Sequence, residues 1–156
     1  MRALKLSALA GIAAAAAALT VPIAGSANAS GREHRGCARQ FDRAVHAYVD
    51  TTDRRDARGF NALLEGGVTV VFGTGDILYG KPDTAAFIDD FFADPTWTQS
   101  FQTLRTYPVG CNTAFALFDS TYTEPNVRKH FLIGVSWTWE HGHWLVVHNQ
   151  DSELKS

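Results

Sequence analysis

The sequence predicts an α+β domain in which a curved antiparallel sheet wraps around N-terminal helices. Three observations predict it. Apolar residues recur at helical spacing over 37–54 and again after Pro82, both in the front half of the chain. From Thr96 onward the chain reads as long strands, rich in β-branched and aromatic residues and parted by short turns. The last two, His130–Glu140 and His143–Ser152, flank a tight Glu140-His141-Gly142-His143 turn, a β-hairpin signal. Helices grouped ahead of long strands suit a sheet with its helices on one face. So many apolar strand residues require that at least one face be covered.

The chain opens with Arg2 and Lys5, continues as an almost unbroken Ala/Leu/Ile run from Leu6 to Val21, and closes this segment with Ala27-Asn28-Ala29. That is the layout of a secretory signal peptide cleaved after Ala29. The apolar run is short for a span, and nothing later reads as transmembrane, so a secreted protein without membrane association is expected. Removing 1–29 leaves 127 of the 156 residues, enough for one domain with a real core. The expected layout is a flexible polar stretch at 30–36, a single domain at 37–152 and a tail at 153–156. The leader holds two of the 14 basic residues, which leaves 12 against 16 acidic ones, a net charge of −4. A mildly acidic domain with no basic stripe is not built for nucleic acid. In an exported chain the two cysteines, Cys37 and Cys111, point to one bridge between the first helix and a central strand; two buried thiols are the alternative.

Each element has its own signal. The first helix carries Phe41, Val45, Tyr48 and Thr52 on one stripe, with Ala44 and Val49 beside it. Asp53-Arg54-Arg55-Asp56 breaks it. Asp56 then caps a short helix over Ala57–Leu64, which Gly66-Gly67 ends. Val68–Phe72 and Ile77–Tyr79 read as two strands joined by a Gly73–Asp76 turn. Pro82 suits the first turn of a third helix, and Asp94-Pro95 stops it. On the strand over 113–123 the Ala114, Ala116, Phe118 and Tyr122 face is the more apolar and should point inward, leaving Asp119 outside. Strict alternation along the last strand puts Trp144, Val146, His148 and Gln150 on one face.

Three stretches resemble a known family. "AYVDTTDRRDARGFNALLEGGVTV" at 47–70 is similar to the opening of nuclear transport factor 2-like proteins, where a long helix turns through an Asp-containing loop. "YGKPDTAAFIDDFF" at 79–92 resembles their Gly-Lys helix entry, and "GHWLVVHNQDS" at 142–152 resembles the closing motif of the SnoaL-like group and of the kinase association domain. The resemblance covers about 38–152 and implies a cystatin-like α+β barrel, a cone open at one end. One member of that family, ketosteroid isomerase, uses an Asp base beside an oxyanion hole of Tyr and protonated Asp, and this sequence can be placed on that pattern. Tyr48 falls on the oxyanion Tyr, but the base position falls on Phe72 and the second Asp position lies near Val135. A phenyl ring cannot abstract a proton, so that mechanism is disfavoured. The usual acidic pair after the second helix is Gly66-Gly67 here, and the second His of the closing motif is Gln150.

The candidate catalytic residues are Tyr48, as a hydroxyl donor to a ligand carbonyl, and His148, as a general acid or base. Each has a plain packing alternative: a core Tyr or His with a satisfied hydrogen bond. Phe72, Phe87, Phe91, Trp97, Tyr122, Trp137 and Gln150 are the candidate pocket lining; the aromatics among them would favour a flat apolar ligand, or simply fill the cone. Asp53 and Asp151 read as solvated rim charges. His141-Gly142-His143 offers two imidazoles on an exposed turn and no third ligand, so no metal site is expected. No cofactor motif is present. The function expected is a secreted small-molecule-binding domain taking an apolar or aromatic ligand. A cofactor-independent isomerase, cyclase or dehydratase is the alternative, and a homodimeric assembly module formed through the sheet is another.

Overall fold

The computed structural model describes residues 26–155, with side chains from residue 36 onward. Residues 1–25 of the leader expected at 1–29 lie outside them. The described elements run α1 (Ser26–Asp53), α2 (Ala57–Ala62), β1 (Leu64–Val71), β2 (Ile77–Tyr79), α3 (Gly80–Ala93), β3 (Thr98–Val109), β4 (Thr113–Glu124), β5 (Val127–Glu140) and β6 (His143–Glu153). The stretch 30–36, expected to be flexible, continues α1 as helix; Arg32, Glu33 and Arg35 are good helix formers and no proline interrupts them. Among the described residues no helix is long and apolar enough to cross a membrane.

The strands form one open, curved six-stranded sheet in the order β2-β1-β6-β5-β4-β3. Four pairings are antiparallel. The fifth, β1 with β6, is parallel, so the sheet is mixed rather than antiparallel throughout. The chain between those two strands is long enough to return β6 in the direction of β1, which a tight turn cannot do. Turn chemistry sets the hairpins. His141 and Gly142 both hold positive φ (50° and 84°) between paired Glu140 and His143, the backbone of a two-residue hairpin turn. Pro125-Asn126 joins β4 to β5, with Asn126 at φ 69°.

The α1 stripe packs as the periodicity requires. Phe41, Val45 and Tyr48 are buried in one core with Ala116 and Phe118 of β4, Val135 and Trp137 of β5, and Trp144 and Val146 of β6, and Thr52 is buried as well. Tyr48 stacks on Phe118 at 5.6 Å and meets Trp137 edge-on at 6.0 Å. Asp56 caps α2 by accepting the Gly59 N–H at 2.9 Å. That helix ends at Ala62, and Gly66-Gly67 fall inside β1, where the pairing with β6 shifts register. Cys37 and Cys111 form a disulfide with Cα atoms 5.3 Å apart, tying α1 to the β3–β4 turn rather than to a central strand.

One irregularity decides what faces inward. Ser136 pairs with His148, but the next pair is Trp137 with Val146. Val147 is therefore an extra residue, a β-bulge. Beyond it the inward positions of β6 change from even to odd numbers.

Candidate functional site

Between α1, α3 and the concave face of the sheet lies a cavity of about 560 Å³. Its inner part is apolar: Phe60, Leu64, Val70, Ile88, Phe92, Ile133 and Val146 line it and are buried. Phe72, Phe87, Phe91, Phe101, Tyr122 and Phe131 add aromatic wall. Their rings are in mutual contact: Phe72 lies 4.9 Å from Phe87, which stacks on Phe91 at 5.5 Å. Toward the exposed rim stand Thr74, Asp76, Glu124, Lys129 and Glu153. Lys129 Nζ is 3.3 Å from Glu153 Oε2.

One polar chain enters this space. The Tyr48 hydroxyl donates to Asn149 Oδ1 at 2.9 Å, and Asn149 Nδ2 donates to Asp151 Oδ1 at 2.8 Å. All three residues line the cavity. Burial pushes the Asp151 carboxyl up from 3.8 to about 6, only partly offset by the Asn149 hydrogen bond. Burial, and then the Asp151 charge, raises Tyr48 far above the ordinary phenol value. The ionised carboxylate fixes the direction of the chain. It can only accept, so Asn149 turns its NH₂ to Asp151 and its oxygen to Tyr48, and Tyr48 must donate. The Tyr48 proton is thus given to Asn149, as in the packing alternative for this residue, rather than to a ligand carbonyl.

The bulge at Val147 accounts for the other differences. His148 and Gln150, expected inside, do not line the cavity; Asn149 and Asp151 take the inner face opposite Val135 and Ile133. His148 is half-buried opposite Ser136. Trp97 is buried behind the wall rather than in it, stacked on Phe91 at 4.2 Å with its Nε1 donating to the Phe91 carbonyl at 2.7 Å. Trp137 packs between Phe41 and Tyr48, away from the cavity. Phe72, Phe87, Phe91 and Tyr122 do line it. Asp119 faces outward and bonds to His130. Among the described residues no group of three or more His, Cys, Asp or Glu could hold a metal ion.

The shape can be compared with known structures. A structure of an NTF2-like protein of unknown function from Pseudomonas putida KT2440 superposes with a TM-score of 0.67 at 14% identity, covering 78% of this chain and 89% of that one. The chain has the nuclear transport factor 2-like fold. A ketosteroid isomerase-like protein with this fold, from Erwinia carotovora atroseptica SCRI1043, gives 0.64 at 14% identity over 76% and 96% of the two chains. An LEH-like epoxide hydrolase of M. tuberculosis gives 0.58 at 14% over 72% and 80%. No family model and no curated protein matches the sequence. The present chain places Phe72 on the cavity wall, and Asp151 of β6 among the carboxyls that line it.

Proposed function

We propose that this protein is a small-molecule-binding domain whose cavity takes an apolar or aromatic ligand and meets its polar group at Asp151. The observation that carries the reading is the cavity itself: about 560 Å³, walled by phenylalanines, with one carboxyl set among apolar side chains. Native mass spectrometry of the protein purified from its own host tests it. A co-purifying small-molecule adduct is expected. No adduct, together with no thermal shift from a panel of small aromatic compounds, refutes the reading.

A second reading, cofactor-independent proton transfer of the isomerase, cyclase or dehydratase kind, is favoured by the position of Asp151. A carboxyl that titrates near 6 in an apolar site can take a proton from carbon and return it at neutral pH. Asn149 and Tyr48 would then be positioning residues that hold the carboxylate. Turnover by such an enzyme would be abolished in Asp151→Asn and would follow a limb near pH 6 in the wild type; unaltered turnover in the variant excludes it. We also place the protein outside the cytoplasm, a reading that the Cys37–Cys111 disulfide supports.

A further inference from the structure

The hydroxyl groups of the cavity lining are chemically one-sided. Five of its residues carry a hydroxyl, and each gives its proton to the protein: Tyr48 to Asn149, Thr52 to the Tyr48 carbonyl, Thr74 to Asp76, Thr84 to the Gly80 carbonyl and Tyr122 to Glu124. What these groups leave open to an occupant is lone pairs. The charges repeat the pattern. Four carboxyl side chains line the cavity against one basic side chain, Lys129, and that one is already bridged to Glu153.

Asp151 differs from the other three carboxyls in depth. It sits opposite Ile133, two residues further along β6 from the rim than Glu153, which sits opposite Phe131. Two strand residues are about 7 Å. Among the described residues its carboxyl accepts one hydrogen bond, from the neutral Asn149 amide, and has no ion-pair partner. A carboxylate held among apolar groups with no counter-ion is expensive. Phe72, Phe87 and Phe91 belong to the same lining and offer aromatic surface to whatever fills the space.

We propose that the occupant of this cavity is a small organic cation, an ammonium group carried on an apolar or aromatic body. The proposal rests on the binding reading above and names its ligand class. The ammonium lies against the Asp151 carboxylate and gives its N–H protons to the open lone pairs; the body lies along the phenylalanine wall. An organic anion would meet carboxylates and find its one cation already paired. A neutral alcohol or ketone would gain the apolar contact but supply no counter-charge for Asp151.

Calorimetry on the disulfide-bonded protein at about pH 7.5 tests this with three probes of nearly equal size: 2-phenylethylammonium, 2-phenylethanol and phenylacetate. The ammonium is expected to bind at least about tenfold tighter than the alcohol, and phenylacetate more weakly than either. Asp151→Asn should bring the ammonium down to the affinity of the alcohol while leaving the alcohol unchanged. Asp119→Asn, on the outer face, should alter neither. Circular dichroism establishes that each variant is folded. Alcohol or phenylacetate binding as tightly as the ammonium, or ammonium binding that survives Asp151→Asn, overturns the cation inference and leaves the binding cavity standing. No heat from any of the three overturns both.

Discussion

Asp151→Asn isolates the cost of holding a carboxylate in this cavity. Because burial raises the folded-state value of Asp151 to about 6 from 3.8, the folded chain holds this proton more tightly than the unfolded chain does. Below pH 3.8 the group is protonated in both states and contributes no difference. As pH rises from there the unfolded chain releases its proton first, so stability falls; the loss is complete once pH has passed through about 6. A difference of roughly two pH units corresponds to about 3 kcal/mol, and solvent contact with this half-buried side chain makes about 2 kcal/mol the better expectation at neutral pH. The amide is nearly isosteric, and its oxygen can still accept the Asn149 N–H, so the link to Asn149 survives the substitution. Urea unfolding of wild type and Asp151→Asn from about pH 4 to pH 8 reads the effect directly. The two should be of similar stability at the acid end, and the variant should gain by about 2 kcal/mol at about pH 7.5. Other carboxylates titrate in both proteins and cancel from the comparison. A stability difference that does not change with pH refutes the placement of an ionisable Asp151 in an apolar site.

Tyr48→Phe leaves Asn149 Oδ1 buried without its donor and should destabilise by about 1–2 kcal/mol in the same urea assay; a neutral result would mean that the Tyr48–Asn149 bond is not formed. Cys37 and Cys111 are 74 residues apart, a loop for which the chain-entropy model gives about 4 kcal/mol. Denaturation with and without reductant should show a loss of that order, and equal midpoints would count against the bridge. Export with cleavage after Ala29 predicts that N-terminal sequencing of protein from the culture medium begins at Ser30; a chain retained in the cells with its leader intact contradicts it.

The elements were legible in the sequence because each rests on a strong local signal. The α1 stripe of Phe41, Val45, Tyr48 and Thr52 has a period that only a helix satisfies, and all four are buried. Asp56 and the His141-Gly142 turn act through their own side chains and backbone, so tertiary context did not move them. The inner face of β4 was legible because its two faces differ: Ala114, Ala116 and Phe118 are buried, while Asp119 stands outside beside His130. The inner face of β6 was not. Leu145 and Val147 are as apolar as Trp144 and Val146, so hydrophobicity does not select a register there, and an extra residue leaves no mark in such a pattern. The parallel β1–β6 pairing was hidden for another reason. It joins the front half of the domain to its last strand, and no local propensity encodes such a distant contact. Trp97 and Trp137 were misplaced because aromatic side chains in a strand can serve the wall of a cavity or the packing behind it, and sequence does not separate the two.

The bulge therefore does more than bend a strand. With unbroken alternation from Trp144 the mouth half of β6 would present His148, Gln150 and Ser152 to the cavity; with Val147 looped out it presents Asn149, Asp151 and Glu153. The first set carries no carboxylate and the second carries two, so one unpaired residue decides whether β6 adds acidic groups to the cavity. The facing beyond the bulge is held by the pairs Val135–Asn149 and Ile133–Asp151. Deleting Val147 joins Val146 to His148 and lets the Trp137–Val146 and Ser136–His148 pairs follow in regular register, leaving Asn149 and Asp151 inside. The deletion variant should fold, at a modest loss from the altered strand twist. Within that background Asp151→Asn should still open the pH-dependent gap in stability expected of the full-length strand. Deleting His148 instead leaves Val147 opposite Ser136 and should behave alike, since either residue can be the extra one. A folded deletion variant in which Asp151→Asn no longer produces that gap would show that Asp151 is turned inward by the bulge geometry itself rather than by the pairing that follows it.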